Sequence, residues 1–263
     1  MNCLGTPSFN KKTRFSLLVK EIKKLKPDFI SLQEVIFGND REVLEEALKS
    51  EGYSFFPKEH RYFGGAIVSL SKLPVVSQEF VKYKEQGPML PFSLAMRAVR
   101  KGFQISTVEL KGTKFKILNT HLMANFHNTQ REVRAIKNQM DELVAYIKSQ
   151  PKGSKIILCG DFNIPAGGNL YKSFVKKAKL IDPLVDGNSV TFSPENLNRK
   201  YKLRFLMDGW GKREGLRLDY MFHKGFKQSS VTQKVVFDTP LRAKGKALHV
   251  SDHFGILSEI LFI

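Results

Sequence analysis

The sequence predicts a mixed α and β protein, and two observations carry that expectation. Stretches with apolar residues at helical spacing alternate along the chain with short apolar runs of strand length. Across 263 residues there is no internal repeat, no low-complexity tract and no linker, so a single domain covering 1–263 is expected. At 42% hydrophobic residues, the chain carries enough apolar material for a sizeable core.

The elements follow in order. Phe15, Leu18, Ile22 and Leu25 fall on one helical face among lysines and arginines, and Pro27 closes that helix. Residues 28–32 read as a strand running into Gln33-Glu34. A short helix around 41–50 comes next, then strands over 64–69 and 75–83. Strands over 100–110 and 114–119 flank Lys111-Gly112-Thr113, a hairpin-like turn. The clearest helix spans about 130–149, where Val133, Ile136, Met140, Leu143, Val144 and Ile147 form an apolar stripe that Pro151 and Gly153 end. Residues 155–159 form a short buried strand with Gly160 at its end. A helix over 170–178 and strands near 218–222 and 255–262 complete the count.

Charge is the unusual feature of the composition. Lys and Arg outnumber Asp and Glu by 43 to 25, a formal charge of +18 that attracts polyanions, either nucleic acid or an anionic membrane face. Two cysteines, Cys3 and Cys159, exclude a disulfide framework. No apolar run reaches the ~18–20 residues needed to span a bilayer. Met1-Asn2-Cys3-Leu4-Gly5 has neither the charged nor the apolar region of a signal peptide. A cytoplasmic monomer is expected. Residues 188–217 interleave Arg199, Lys200, Lys202, Arg204 and Arg217 with Tyr201, Phe205 and Trp210. That mixture suits a surface that tracks a phosphate backbone and stacks bases, and equally a loop with a solvated basic face.

Four segments place polar residues just after apolar strands, where a rigid scaffold presents chemistry. They are Gln33-Glu34, Asn119-Thr120-His121, Gly160-Asp161-Phe162-Asn163 and Ser251-Asp252-His253, the last with Asp219 upstream in Leu218-Asp219-Tyr220. A lone carboxylate or histidine at a strand end is commonplace. Asp161 and Asn163 are more informative, because two residues of extended backbone put both on one side. Asp161 can bind a cation or take a proton from water, and Asn163 can donate to a phosphate oxygen without adding charge. An Asp–His pair fixes the imidazole tautomer and stabilises its protonated form.

In order and across nearly the whole chain, these segments together with Asn2 in Asn-Cys-Leu-Gly resemble the endonuclease/exonuclease/phosphatase superfamily. That superfamily includes DNase I-type nucleases, abasic-site endonucleases, neutral sphingomyelinases and inositol-polyphosphate phosphatases. The resemblance implies a DNase I-like α+β fold: a four-layer αββα sandwich of two packed, mostly antiparallel sheets flanked by helices. It also implies Mg²⁺, or Mn²⁺, bound by Glu34, with Asn2 nearby on metal or phosphate and Asp252 completing the metal-side carboxylates. Asp161 would orient or deprotonate the attacking water, Asn163 would hold the phosphate, and His253, oriented by Asp219, would contact the phosphate and move protons. Hard cations favour oxygen ligands and keep several waters, which agrees with that set. His121 resembles the second histidine of DNase I-type nucleases and sphingomyelinases, an acid toward the leaving oxygen. Abasic-site endonucleases carry a tyrosine-containing segment there, so that branch is disfavoured, and residues 121–126 lean toward the sphingomyelinase side.

One departure from the family pattern is that its first strand normally precedes the Asn. With Asn2 almost first, that strand is expected to be truncated or nearly absent. The expected activity is therefore metal-dependent phosphodiester hydrolysis. Charge favours nucleic acid as substrate, with Arg199, Lys200 and Lys202 contacting it. The alternatives are a sphingomyelinase-like phospholipid phosphodiesterase or a small-phosphoester phosphatase. A catalytically silent nucleic-acid-binding module is the remaining rival.

Overall fold

In the computed structural model, residues 1–4, 10–57, 66–87, 100–125, 129–185, 189–193, 215–243 and 245–262 are described. The apolar stripe over 130–149 folds as the expected helix, Gln130–Ser149 (α3). Its start is fixed chemically: the Thr129 hydroxyl accepts from the Glu132 N–H at 3.2 Å, while the Glu132 carboxylate accepts from the Thr129 N–H at 3.0 Å. This reciprocal capping satisfies two of the donors that every helix start leaves over. Ile136, Leu143 and Ile147 on the stripe are fully buried.

With a shorter helix, Asn169–Ala178 (α4), α3 covers one face of a five-stranded sheet. Its strands lie side by side in the order Val75–Lys82 (β4), Gly102–Leu110 (β5), Thr113–His121 (β6), Lys155–Asp161 (β7) and Asp219–Lys224 (β8). Only the β6–β7 pair is parallel, as the α3 crossover between them requires. Alternation along the strands sorts the two faces. Leu118, Leu158 and Phe222 pack toward the helices, whereas Ile117, Ile157 and Cys159 pack toward the opposite layer.

That opposite layer departs from the expected single second sheet. Phe29–Leu32 (β1), Ser54–Phe56 (β2) and Val68–Ser71 (β3) form one small sheet in the order β1-β3-β2. Val231–Val236 (β9) and Gly255–Ile260 (β12) form a separate pair, and Leu241–Ala243 (β10) with Lys246–Leu248 (β11) a hairpin. Helices Lys11–Leu25 (α1) and Gly38–Leu48 (α2) cover the layer from outside through Phe15, Leu18, Ile22, Leu44 and Leu48. The chain start is pinned to β1. The Met1 amino group donates to Ser31 O at 2.9 Å, Gln33 N to Met1 O at 3.0 Å, and Cys3 N to Gln33 O at 2.9 Å, a short parallel pairing.

Several boundaries shift; the short helix expected around 41–50, for one, is Gly38–Leu48. The strand expected over 64–69 begins at Val68, and residues 64 and 65 lie outside the described residues. β6 and β7 each run two residues further than the apolar runs suggest, to His121 and Asp161. Those polar residues are therefore members of the ladder rather than followers of it, because backbone pairing continues past the point where apolar burial stops. No described helix is long and apolar enough to cross a membrane.

Candidate active site

The register of the five-stranded sheet assembles half of the site. His121 on β6 pairs with Asp161 on β7, which pairs with Asp219 on β8. Directly opposed residues of neighbouring strands point to the same face at ~4.8 Å spacing, so the three side chains form a row facing the other layer. The close strand approach depends on Gly160. Its φ is +151°, and a Cβ there would sit 2.0 Å from Thr120 O.

The facing layer supplies the other half: Asn2 beside β1, Glu34 just past β1, and Asp252 and His253 just before β12. Contacts across the seam join the halves. Asn2 Nδ2 donates to Asp161 Oδ2 at 3.0 Å. His253 Nδ1 donates to Asp219 Oδ2 at 2.8 Å, as the Asp–His expectation required. His121 Nε2 lies 3.9 Å from Glu34 Oε1 and 3.6 Å from Asp161 Oδ2. His253 Nε2 is 3.9 Å from the same Asp161 oxygen, which makes that oxygen the centre of the cluster.

Local backbone devices aim these groups. Glu34 has a left-handed φ of +60°, uncommon for a residue with a side chain, which turns it out of the strand path. Asn163 also has a left-handed φ, +53°, so the extended backbone expected between Asp161 and Asn163 is instead a turn. The turn is closed by Asn163 N donating to Asp161 Oδ1 at 2.9 Å, and Asn163 Nδ2 donates to Leu122 O at 3.2 Å. Asp252 accepts from the Ser251 hydroxyl at 3.1 Å, and that hydroxyl also accepts from His253 N at 3.2 Å.

Burial and neighbouring charge drive the two histidines apart. Burial opposes charging of His253, but Asp219, followed by Asp161, outweighs it and holds the pKa up at about 10. Burial also lowers His121, and there Lys101 and His253 add to the effect, so its pKa falls well below the usual value. At neutral pH one imidazole is a cation with two donors and the other is neutral, a division that separates acid from base roles. Without an anion beside it His121 is neutral, so a role as acid toward the leaving oxygen requires a negative charge that raises its pKa. Asp161 is raised to about 6, chiefly by burial and against the pull of His253.

The donor chemistry fits a hard divalent cation. Glu34 is a carboxylate with its side chain 20% exposed, able to bind while leaving room for water. Asp161, Asp219 and His253 also offer ligand atoms within 4.8 Å of one another. The imidazole there is already held by Asp219, so that trio reads better as a proton-handling group beside the carboxylate of Glu34.

Some site residues carried no sequence signal. Lys101 is buried, donates to the same Leu122 O at 3.1 Å, and has its pKa pushed down to about 8 by burial against the pull of Glu34 and Asp161. One lysine among 43 basic residues could not have been singled out. Thr191 accepts from both Leu218 N and Asp219 N at 3.0 Å, setting the start of β8, and the Phe192 ring lies 5.0 Å from that of His253. Gln33 and Asn119, read only as companions of Glu34 and His121, tie the layers together. Gln33 Nε2 donates to Asn119 Oδ1 at 2.7 Å, and Asn119 Nδ2 donates to Leu32 O and Val68 O at 3.2 Å. Arg199, Lys200 and Lys202 lie outside the described residues. Arg217, from the same basic stretch, is buried against Asp182 at 2.5 Å and presents no charge to a ligand.

The model of the Endonuclease/Exonuclease/phosphatase family matches residues 2–253, and the chain belongs to that family of phosphoester hydrolases. It is 24% identical over 271 residues to a putative neutral sphingomyelinase of Drosophila melanogaster, an alignment covering 99% of this chain and 59% of that protein. The chain thus spans less than two thirds of that relative's length. Sphingomyelinase C from Streptomyces griseocarneus superposes with a TM-score of 0.77 at 18% identity, over 99% of this chain and 97% of that one. A Staphylococcus aureus beta toxin mutant with bound magnesium ions gives 0.75 at 19%, over 99% and 96%. These likenesses establish the DNase I-like fold.

Proposed function

We propose that the chain is a Mg²⁺-dependent phosphodiesterase that cleaves the head-group phosphodiester of sphingomyelin. The observation that carries the substrate is the alignment of 99% of the chain with a putative neutral sphingomyelinase. It favours the phospholipid alternative over the nucleic acid that charge alone suggested. The +18 charge suits an anionic lipid surface as well as it suits DNA.

Glu34, with Asn2 and Asp252 in support, would hold the cation. When bound it would supply positive charge to the phosphoryl oxygens and make water easier to deprotonate. Asp161, raised to about 6 and central to the cluster, takes the proton from the attacking water as the new P–O bond forms. His253, kept cationic by Asp219, donates to a phosphoryl oxygen from Nε2, and Asn163 adds a neutral donor. The P–O bond to the lipid then breaks and the lipid oxygen takes a proton. His121 would give that proton from Nε2, having taken one up from solvent once the anionic substrate raises its pKa.

The test is a substrate panel with purified protein: sphingomyelin in mixed micelles, single-stranded DNA, duplex DNA and RNA, each with Mg²⁺ and with EDTA. EDTA-sensitive release of phosphocholine is expected. Metal-dependent cleavage of DNA or RNA with sphingomyelin untouched would restore the nuclease reading, and binding without cleavage of any substrate would leave a silent binding module.

A further inference from the structure

Strand β7 runs from Lys155 to Asp161, so the cluster stands at one end of the sandwich and Lys155 near the other. At the usual strand rise the two ends lie about 20 Å apart. Register shows which loops close the end away from the cluster. Leu110 pairs with Thr113, Phe29 with Ser71, Phe115 with Lys155, Ile156 with Lys224 and Val231 with Ile260. Residues 26–28, 72–74, 111–112, 150–154 and 225–230 therefore turn there. So does the chain leaving α4 at 179–180, because Ile181 bridges His223.

Each of these turns carries one lysine: Lys26, Lys72, Lys111, Lys152, Lys179 and Lys227, all exposed. Asp28 is the acid that stands against them. None of the six joins an ion pair among the described residues. Three of them hold a left-handed backbone, with φ of 49° at Lys26, 49° at Lys111 and 53° at Lys179. Turns and helix ends of that conformation favour glycine or asparagine, so local geometry does not account for lysine there.

The character of this end narrows the ligand. Its charges are point-like ammonium groups on separate loop tips, spread over both layers rather than lining a groove. No arginine lies in these turns to grip phosphate in two-point fashion, and their one aromatic, Phe226, is buried, so nothing stacks on a base. Leu25 and Leu261 stand exposed at the same end, 36% and 68%, as apolar tips among the lysines. A broad basic face with scattered apolar tips matches a planar anionic bilayer.

We propose that the end of the sandwich opposite the active site is a docking face for an anionic lipid bilayer. Docked this way, the protein turns its catalytic cluster away from the bilayer that holds it. On the sphingomyelinase reading of that cluster, the substrate is then met on a second lipid surface, and the charge serves to tether rather than to bind substrate.

The experiment measures sedimentation with phosphatidylcholine vesicles, with and without phosphatidylserine, over a range of salt. Wild type should bind only the phosphatidylserine vesicles, and less as salt rises. Lys26→Gly, Lys111→Gly and Lys179→Gly together remove three charges and relieve three left-handed residues, so Tm should hold or rise while affinity falls at least about tenfold. Lys72→Ser, Lys152→Ser and Lys227→Ser together, at ordinary backbone, should weaken binding alike. Arg131→Gln, Arg134→Gln and Lys172→Gln, an equal loss of charge on exposed faces of α3 and α4, should not. Vesicles should slow amide exchange in 110–113 and 150–154 and leave 161–163 unchanged. Undiminished binding by both lysine variants, an equal loss in the helix variant, or protection at 161–163 instead would overturn the proposal. Duplex DNA bound through the same lysines with vesicles ignored would overturn it too, in favour of a nucleic-acid partner. Binding is read without turnover, so vesicle docking by a protein that leaves sphingomyelin intact would sink the substrate reading and not this one.

Discussion

Within the five-stranded sheet, His121, Asp161 and Asp219 occupy one line of the ladder, fixed by continuous backbone pairing on both sides of Asp161. Across the seam, Asn2, Glu34, Asp252 and His253 stand on chain that has just left a short strand or is about to enter one. Their placement rests on a left-handed backbone at Glu34, a hydroxyl at Ser251 and an aromatic wall at Phe192. One half of the site is thus set by the ladder, and the other by a few local contacts in a layer broken into small sheets. Substitutions in the first half should act on chemistry with little loss of affinity, and those in the second should act on cation affinity and geometry.

The largest expected effect is at the centre. Asp161→Asn should lower kcat by about 10²–10⁴-fold while substrate still binds, measured by phosphocholine release and by equilibrium binding to sphingomyelin vesicles. Thermal stability should hold or rise, because a buried carboxylate is replaced by a neutral group of the same shape. Activity above a tenth of wild type would remove Asp161 as the base.

Next comes the dyad that crosses the seam. Activity needs Asp161 ionised and His253 protonated, so the pH profile should rise through about 6 and fall through about 10, the acid limb moving lower where a cation binds. Asp219→Asn removes the largest charge holding His253 up, so the alkaline limb should move toward neutrality. The stability consequence has a definite sign. The folded pKa of His253 lies above its unfolded value of about 6.5, so its contribution is full below that value and is lost as pH rises through about 10. Wild type should lose Tm over that window and Asp219→Asn should lose less; matching Tm–pH curves would contradict the pairing.

On the second-layer side, Glu34→Gln keeps the shape and removes the anionic ligand. The Mg²⁺ concentration for half-maximal activity should rise by at least about tenfold, read by metal titration, and an unchanged titration would take Glu34 out of the cation site. A smaller effect is expected at Gly160, where Ala forces a Cβ into Thr120 O and should cost about 1–3 kcal/mol of stability in denaturant unfolding. An unperturbed midpoint would show that the β6–β7 approach is looser than the register implies.

How much of this was legible in the sequence follows the same division. The stripe from Val133 to Ile147 announced α3 because helical period and burial coincide along it. The segments carrying His121, Asp161 and Asp219 announced the ladder half, because a strand that ends in polar residues leaves a local pattern. His121 and Asp161 were read as following their strands, since apolar content marks burial and not backbone pairing. Asn163 was read as extended, since its left-handed φ leaves no trace in residue type. Lys101 and Thr191 were invisible: their roles come from chain that folds back from far along the sequence. The break between β1 and β12 belongs to pairing across the whole layer, which no single segment encodes.

The shared site is tested most directly by a double-mutant cycle across the seam: Glu34→Gln, Asp161→Asn and both together, assayed for Mg²⁺-dependent phosphocholine release. Residues acting as one unit are strongly non-additive, so the double variant should be little slower than the worse single one. Losses that multiply would mean that Glu34 and Asp161 act independently, and the two layers would not build one active site.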